Sequence, residues 1–174
     1  MDFDAMLYRQ LKPGNEFDPL IPKTTCKSTS LGNGQTDFSI IKMAEIIKNY
    51  HWQTEKVGKV LQGSSLESNV LAIKDFAYSH FQYKADAEEQ MLRTPACSWY
   101  TRATGIDCKS YSILASCLLT NMGITHSIRK IKQAGFSPEE WTHVYVIVPK
   151  NQTDLKQGYY TVDGTLKTNH EPAY

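Results

Sequence analysis

An apolar run from Tyr111 to Leu119 most constrains the fold of this chain, because it reads as a helix that has to be buried. It opens at Cys108, behind Gly105-Ile106-Asp107, and runs to Met122, where Gly123 supplies a C-terminal stop. A thiol at that end lies in the positive end of the helix dipole, which predicts a pKa lowered from about 8.5 toward neutrality. His143 and Asp163 follow downstream, each inside a short strand-like segment. The order is that of a nucleophile, a base and the carboxylate that orients the base.

From Ser64 to Thr165 the chain resembles the transglutaminase-like cysteine protease superfamily, whose triad is papain-like. Three features carry the resemblance: Cys108 opening a buried helix, His143 at the head of Thr142-His143-Val144-Tyr145-Val146-Ile147-Val148, and Asp163 in Val162-Asp163-Gly164-Thr165, similar to the family's Val-Asp-Pro-Thr. The stretch from Phe81-Gln82-Tyr83 through Thr94-Pro95 to Asp107-Cys108, with His143-Val144-Tyr145, is similar to members carried by bacteriophages and prophages. Two departures stand out. The glycine lies three residues before the cysteine instead of two, and Gly164 replaces the family proline. The resemblance implies a transglutaminase-like α+β domain that acts on an amide or peptide bond through a thioester.

The 174 residues suffice for one domain with its own core. A net charge of +1 gives no electrostatic case for binding nucleic acid or a membrane surface. Cys26, Cys97, Cys108 and Cys117 form no Cys-x-x-Cys pair and no zinc-like spacing, so no metal and a reducing compartment are expected. Acidic residues in Met1-Asp2-Phe3-Asp4, and no apolar stretch of about 20 residues, predict a soluble protein without a cleaved signal. Its expected location is the cytoplasm, or the host cytoplasm or virion if phage-encoded.

Residues 1–35 contain Pro13, Gly14, Pro19, Pro22, Gly32 and Gly34 and show no period, which predicts an arm or irregular extension ahead of a domain over 36–174. Phe3, Met6, Leu7, Phe17, Leu20 and Ile21 are too apolar for a solvated tail, so the segment packs on its own domain or on a partner. A helix starts near Asp37, capped by Thr36 or Asp37, with Phe38, Ile41, Ala44 and Ile47 on one row and Ile40 on an adjoining one. A short helix holds Val57, Val60 and Leu61. Ser64-x-x-Glu67 matches a capping box before Leu66, Val70, Ile73, Ala77 and Phe81. Tyr83 to Asp107 reads as a long loop whose Cys97, Trp99 and Tyr100 would form one wall of a cleft. Strands are expected at 124–131, 141–148 and 159–163, and helices followed by antiparallel strands define an α+β layer.

A hairpin centred on Thr153 would pair His143 with Asp163, setting their Cβ atoms about 5 Å apart. A slip of one residue would turn the two side chains to opposite faces. The carboxylate would hold one ring nitrogen so that the other faces the sulfur. The backbone N–H of Cys108, with a second donor from Trp99, Tyr100 or a neighbouring amide, would stabilise the oxyanion. Release of the thioester by water gives hydrolysis and by an amine gives transamidation.

The rivals are weaker. Cys117 faces away from Cys108 and reads as core, Cys97 lacks the helix, His126 is a base on its own strand, and His51, His80 and His170 have no supporting context. The expected site is therefore Cys108 as nucleophile, His143 as general base then acid, and Asp163 as orienter, without a cofactor and acting on a protein or peptide. The alternative is a bacteriophage virion-associated or assembly protein that uses the fold as a module, with residues 1–35 docking on viral structural subunits.

Overall fold

The computed structural model describes residues 7–86 and 89–174. Among the described residues five α-helices precede a three-stranded sheet: α1 (Thr36–Tyr50), α2 (Glu55–Leu61), α3 (Leu66–His80), α4 (Pro95–Tyr100), α5 (Cys108–Asn121), then β1 (Ser127–Ile131), β2 (His143–Asn151) and β3 (Asp154–Val162). The strands are antiparallel in the order β1-β2-β3, so the class is α+β. No helix among the described residues is long and apolar enough to cross a membrane.

Helix α5 is the axis of the molecule. Every residue from Ser110 to Leu119 is buried, because α1, α2, α3, α4 and the sheet surround it. Its Tyr111, Leu114 and Leu118 enter the main core with Phe76, Phe81 and Trp99, while Ile113 and Cys117 join Met43 and Val144 in a second cluster. The C-terminal stop is as expected, with Gly123 at φ 68°.

Several local expectations are corrected. Helix α1 buries Met43, with Ile40, Ile46 and Ile47 packed beside it, whereas Ile41 stands exposed. Both rows of α1 carry apolar residues, and the groove beside α5 selects between them. Its N-cap is Gln35, without a side-chain bond from Thr36 or Asp37. The capping box of α3 is Ser65 with Ser68, not Ser64 with Glu67, one residue later and with serine in the reciprocal role. The expected loop 83–107 contains α4, started by Thr94 as cap and Pro95 in the first turn. Trp99 is fully buried there, stacked on Phe76, and its indole N–H donates to Asp18 at 2.8 Å. It is core and not a cleft wall.

The N-terminal segment is woven into the same body from residue 7 onward; Phe3 and Met6 lie outside the described residues. Phe17 and Ile21 are buried in the main core, and Cys26 is disulfide-bonded to Cys97 on α4. Arg9 reaches across the fold, donating from Nη1 to the carbonyls of Tyr78 and Gly164 and from Nη2 to that of Thr165. The Cys26–Cys97 cross-link runs against the reducing compartment expected from the cysteine spacing, and while it is formed Cys97 is unavailable as a rival nucleophile. Spacing could not reveal a partner 71 residues away.

In the β2–β3 hairpin the two steps from Pro149 to Asn151 face the five from Asp154 to Tyr159. Gly158, at φ 88°, lies in this irregularity. The regular ladder beyond it pairs Val146 with Val162 and Ile147 with Thr161. Carried one step further, that register sets Asp163 opposite Tyr145 and diagonal to His143. The pairing expected from a centre at Thr153 is thus displaced by two residues, position 165 and not 163 falling opposite His143. An even displacement keeps both side chains on one face.

Gly164 is required by space. A Cβ there would fall 2.6 Å from Tyr111 Cδ1 and 2.8 Å from the Cβ of Ala77, where α5 and α3 meet the loop after β3. Gly164→Ala is therefore expected to lower the unfolding free energy by about 1–3 kcal/mol, as overpacking does. Equilibrium urea unfolding checks this, and an unchanged midpoint would contradict it.

Candidate active site

Cys108 is the first residue of α5, so its N–H has no intrahelical acceptor and points out of the helix end. Asp107 caps that end, its carboxylate accepting from the N–H of Ser110 at 3.1 Å. The same carboxylate is bonded by Lys109, which also lies 3.3 Å from Asp86 and donates to Gln90 at 2.8 Å. Arg93 stands 3.6 Å from the other oxygen of Asp86. The helix start is thereby held by a set of charges that offset one another. Burial lowers the pKa of Lys109, and the nearby Asp86 opposes that shift.

His143 opens β2 and is buried, its Nε2 lying 2.7 Å from Oδ2 of Asp163. The other carboxylate oxygen accepts from the N–H of Thr165 at 2.9 Å and from its hydroxyl at 2.7 Å. Asp163 is thus fixed on both oxygens, and Arg9 holds the carbonyls of Gly164 and Thr165 behind it. Burial pushes the Asp163 carboxyl up, but the hydrogen bond and charge of His143 and the two bonds from Thr165 overcome it, and its pKa ends below the usual carboxylate range. With Nε2 engaged by Asp163, the ring nitrogen left for chemistry is Nδ1.

Cys108 and His143 line one cavity of about 320 Å³, together with Thr36, Ser39, Met43 and Trp141. The structure therefore brings His143 and Asp163 into direct contact and sets Cys108 in the wall of the same cavity. A hydrogen bond between the sulfur and the imidazole is not formed among the described residues. Such bonds commonly tighten only when substrate is bound.

The thiol itself departs from expectation. Burial pushes its pKa up to about 11, reinforced by the negative charges of Asp163 and Asp86; backbone hydrogen bonds from Val144 and Lys109 work in the opposite direction and lose. The helix end by itself favours the thiolate, but desolvation of the sulfur outweighs it. At pH 7 the resting sulfur is therefore a neutral thiol.

The remaining candidates lie elsewhere. Cys117 is buried core, and burial pushes its thiol well up. His126 Nδ1 bonds the carbonyl of Ile124 at 2.8 Å, His51 bonds Asn121 at 3.1 Å, and His80 bonds the carbonyl of Lys12 at 3.2 Å. His170 lines a separate cavity between α3 and β3. Of the segment 83–107, Gln90 lines the site; neither Trp99 nor Tyr100 does, which withdraws them as oxyanion donors. Asp107 and Thr165 carry no expected role from the motifs that contain them, although Asp-x-x-Ser before an apolar run and Asp-Gly-Thr after a strand are cap and turn signals. Arg9 gave no local signal.

No protein-family model, no curated protein and no solved structure matches this chain.

Two measurements follow from the electrostatics. A carboxylate with a lowered folded pKa contributes stability that is full above its unfolded value, about 3.9, and is lost as the pH falls through the folded value. Asp163→Asn should therefore flatten the acid side of the stability curve below about pH 4, which thermal melts from pH 2 to 7 would read. For Cys108 the raised pKa predicts that alkylation by iodoacetamide keeps climbing from pH 7 toward about 11, without a plateau near neutrality. Peptide mapping by mass spectrometry at each pH would detect a plateau if one exists.

Proposed function

We propose that this chain is a cysteine-dependent amide or peptide-bond hydrolase or acyltransferase that works through a thioester, on a transglutaminase-like, papain-like arrangement of helix and sheet. The observation that carries the reading is the buried 2.7 Å contact between His143 and Asp163 at the edge of the cavity that Cys108 lines. A histidine oriented by a doubly anchored carboxylate, beside a thiol at a helix start, is the arrangement that nucleophilic acyl transfer needs.

The raised thiol pKa sets the order of events. Cys108 attacks as a neutral thiol, and its proton passes to Nδ1 of His143 as the carbon–sulfur bond forms. Asp163 stabilises the resulting imidazolium. The oxyanion faces the backbone N–H of Cys108. Collapse breaks the carbon–nitrogen bond, and the imidazolium returns its proton to the departing amine. Water or a second amine then attacks the thioester, gives its proton to His143, and restores the thiol as sulfur leaves.

The substrate proposed is a protein or peptide. The proposed setting is a cytoplasm or a virion; the Cys26–Cys97 cross-link belongs to oxidising surroundings, and in a reducing cytoplasm these two residues stand as thiols. A module for virion assembly is the second reading, and the half-buried Cys108, its thiol pKa raised, is the observation on its side. Against that reading, Phe17 and Ile21 of the supposed docking arm are used up in the chain's own core.

The test uses 4-nitrophenyl acetate as the acyl donor. Wild type should release nitrophenol in a burst and carry one acetyl group on Cys108, discharged by water or, faster, by added methylamine. Cys108→Ala should abolish the burst, and His143→Ala should slow acylation by about 10²–10⁴-fold. Equal, slow labelling of wild type and His143→Ala would leave only the scaffold.

A further inference from the structure

Tyr145 lies two residues beyond His143 on the same face of β2, and the two rings stack with centroids 5.8 Å apart and planes at 29°. Tyr145 is buried, so its ring is a fixed surface for the imidazole to lean on. Its hydroxyl donates to Glu171 at 2.5 Å. The other oxygen of Glu171 accepts from the hydroxyl of Tyr159 at 2.7 Å, and Arg129 bonds Glu171 at 2.8 Å and the Tyr159 oxygen at 2.6 Å. All three strands thus meet one carboxylate from the segment after β3.

That segment is itself tied down at both ends. Buried Lys74 of α3 bonds the carbonyl of Thr168 and, at 2.6 Å, the side chain of Asn169. Beyond Glu171, the carbonyl of Ala173 accepts from the N–H of Ala134 at 3.2 Å, and the Tyr174 hydroxyl accepts from Arg129 at 3.0 Å. Asp163 grips one ring nitrogen of His143, but a single hydrogen bond leaves the ring free to tilt about that contact. A second, flat support removes that freedom.

We infer that Tyr145, clamped by Glu171, is a positioning residue that fixes the plane of the His143 ring, so that the folded-back C-terminal segment sets the direction in which Nδ1 points into the Cys108 cavity. The inference rests on the proposed role of His143 as base, since a ring with no proton to transfer would need no aim. Misdirection of a base by a fraction of an ångström is enough to cost rate without unfolding the protein.

The experiment uses the full chain with ¹⁵N-labelled histidine and reads the downfield Nε2–H resonance of His143, together with the rate of Cys108 alkylation by iodoacetamide at pH 8. Tyr145→Leu removes the stack and should broaden the resonance beyond detection and slow alkylation roughly tenfold. Tyr145→Phe keeps the stack but loses the bond to Glu171, so it should fall between wild type and Tyr145→Leu, weakening both signals about threefold. Glu171→Gln, which leaves the core untouched, should weaken both about threefold and serves if Tyr145→Leu fails to fold. Ile147→Ala, two residues further along the same face, removes comparable apolar packing and should leave resonance and rate as in wild type. An unchanged resonance in Tyr145→Leu and Glu171→Gln, or an equal loss in Ile147→Ala, would overturn the inference. If His143→Ala leaves alkylation unchanged, the proposed base role fails instead, while the resonance still decides whether Tyr145 holds the ring.

Discussion

Burial of α5 around its whole circumference is the constraint on which the rest of the structure depends. A helix so apolar must have cover on every side, and α1, α2, α3, α4 and the sheet each supply part of it. Its two ends cannot be treated alike. The C-terminal end leaves the core at Gly123, whereas the N-terminal end is held by Asp107 and the charges of Lys109 and Asp86 in the wall of the cavity. Cys108 therefore gains the helix end and loses water in the same step, and the loss of water dominates its acidity.

A second buried polar unit sits where the sheet meets that helix end. The His143–Asp163 pair is almost free of solvent, a costly place for charge unless every lone pair is met. Here three hydrogen bonds reach the carboxylate: Thr165 takes one oxygen twice, His143 takes the other, and Arg9 pins the loop from behind. Removing one partner from such a unit typically costs about 3–5 kcal/mol, because the remaining group stays buried and unpaired. The His143–Asp163 pair is therefore assembled before any substrate arrives. Its assembly draws on residues 9, 163 and 165, which lie at opposite ends of the chain.

Much of this was legible locally. The inward row of α3, the span of α5 with its glycine stop, the antiparallel strands and the shared face of His143 and Asp163 all follow from spacing, since periods of 3.6 and 2 translate directly into faces. The errors share one cause. Ile41 against Met43, Trp99 as wall against Trp99 as core, and the acidity of Cys108 were each decided by what another segment placed opposite, which a window along the chain does not contain. The hairpin register shows the same thing in miniature: the irregularity at Gly158 shifted the pairing by two residues, and only its even size kept His143 and Asp163 together.

The sequence by itself determined which side chains share a face, where the central helix starts and stops, and that the chain folds as helices followed by strands, because these depend on neighbours a few residues apart. The tertiary structure alone decided that Cys26 meets Cys97, that Arg9 and Thr165 converge on one loop, that Gly164 must lack a side chain against Tyr111, and that the Cys108 thiol rests neutral. Each of these is a matter of distance through space and of exclusion from water. Neither quantity exists until the whole chain has closed around α5.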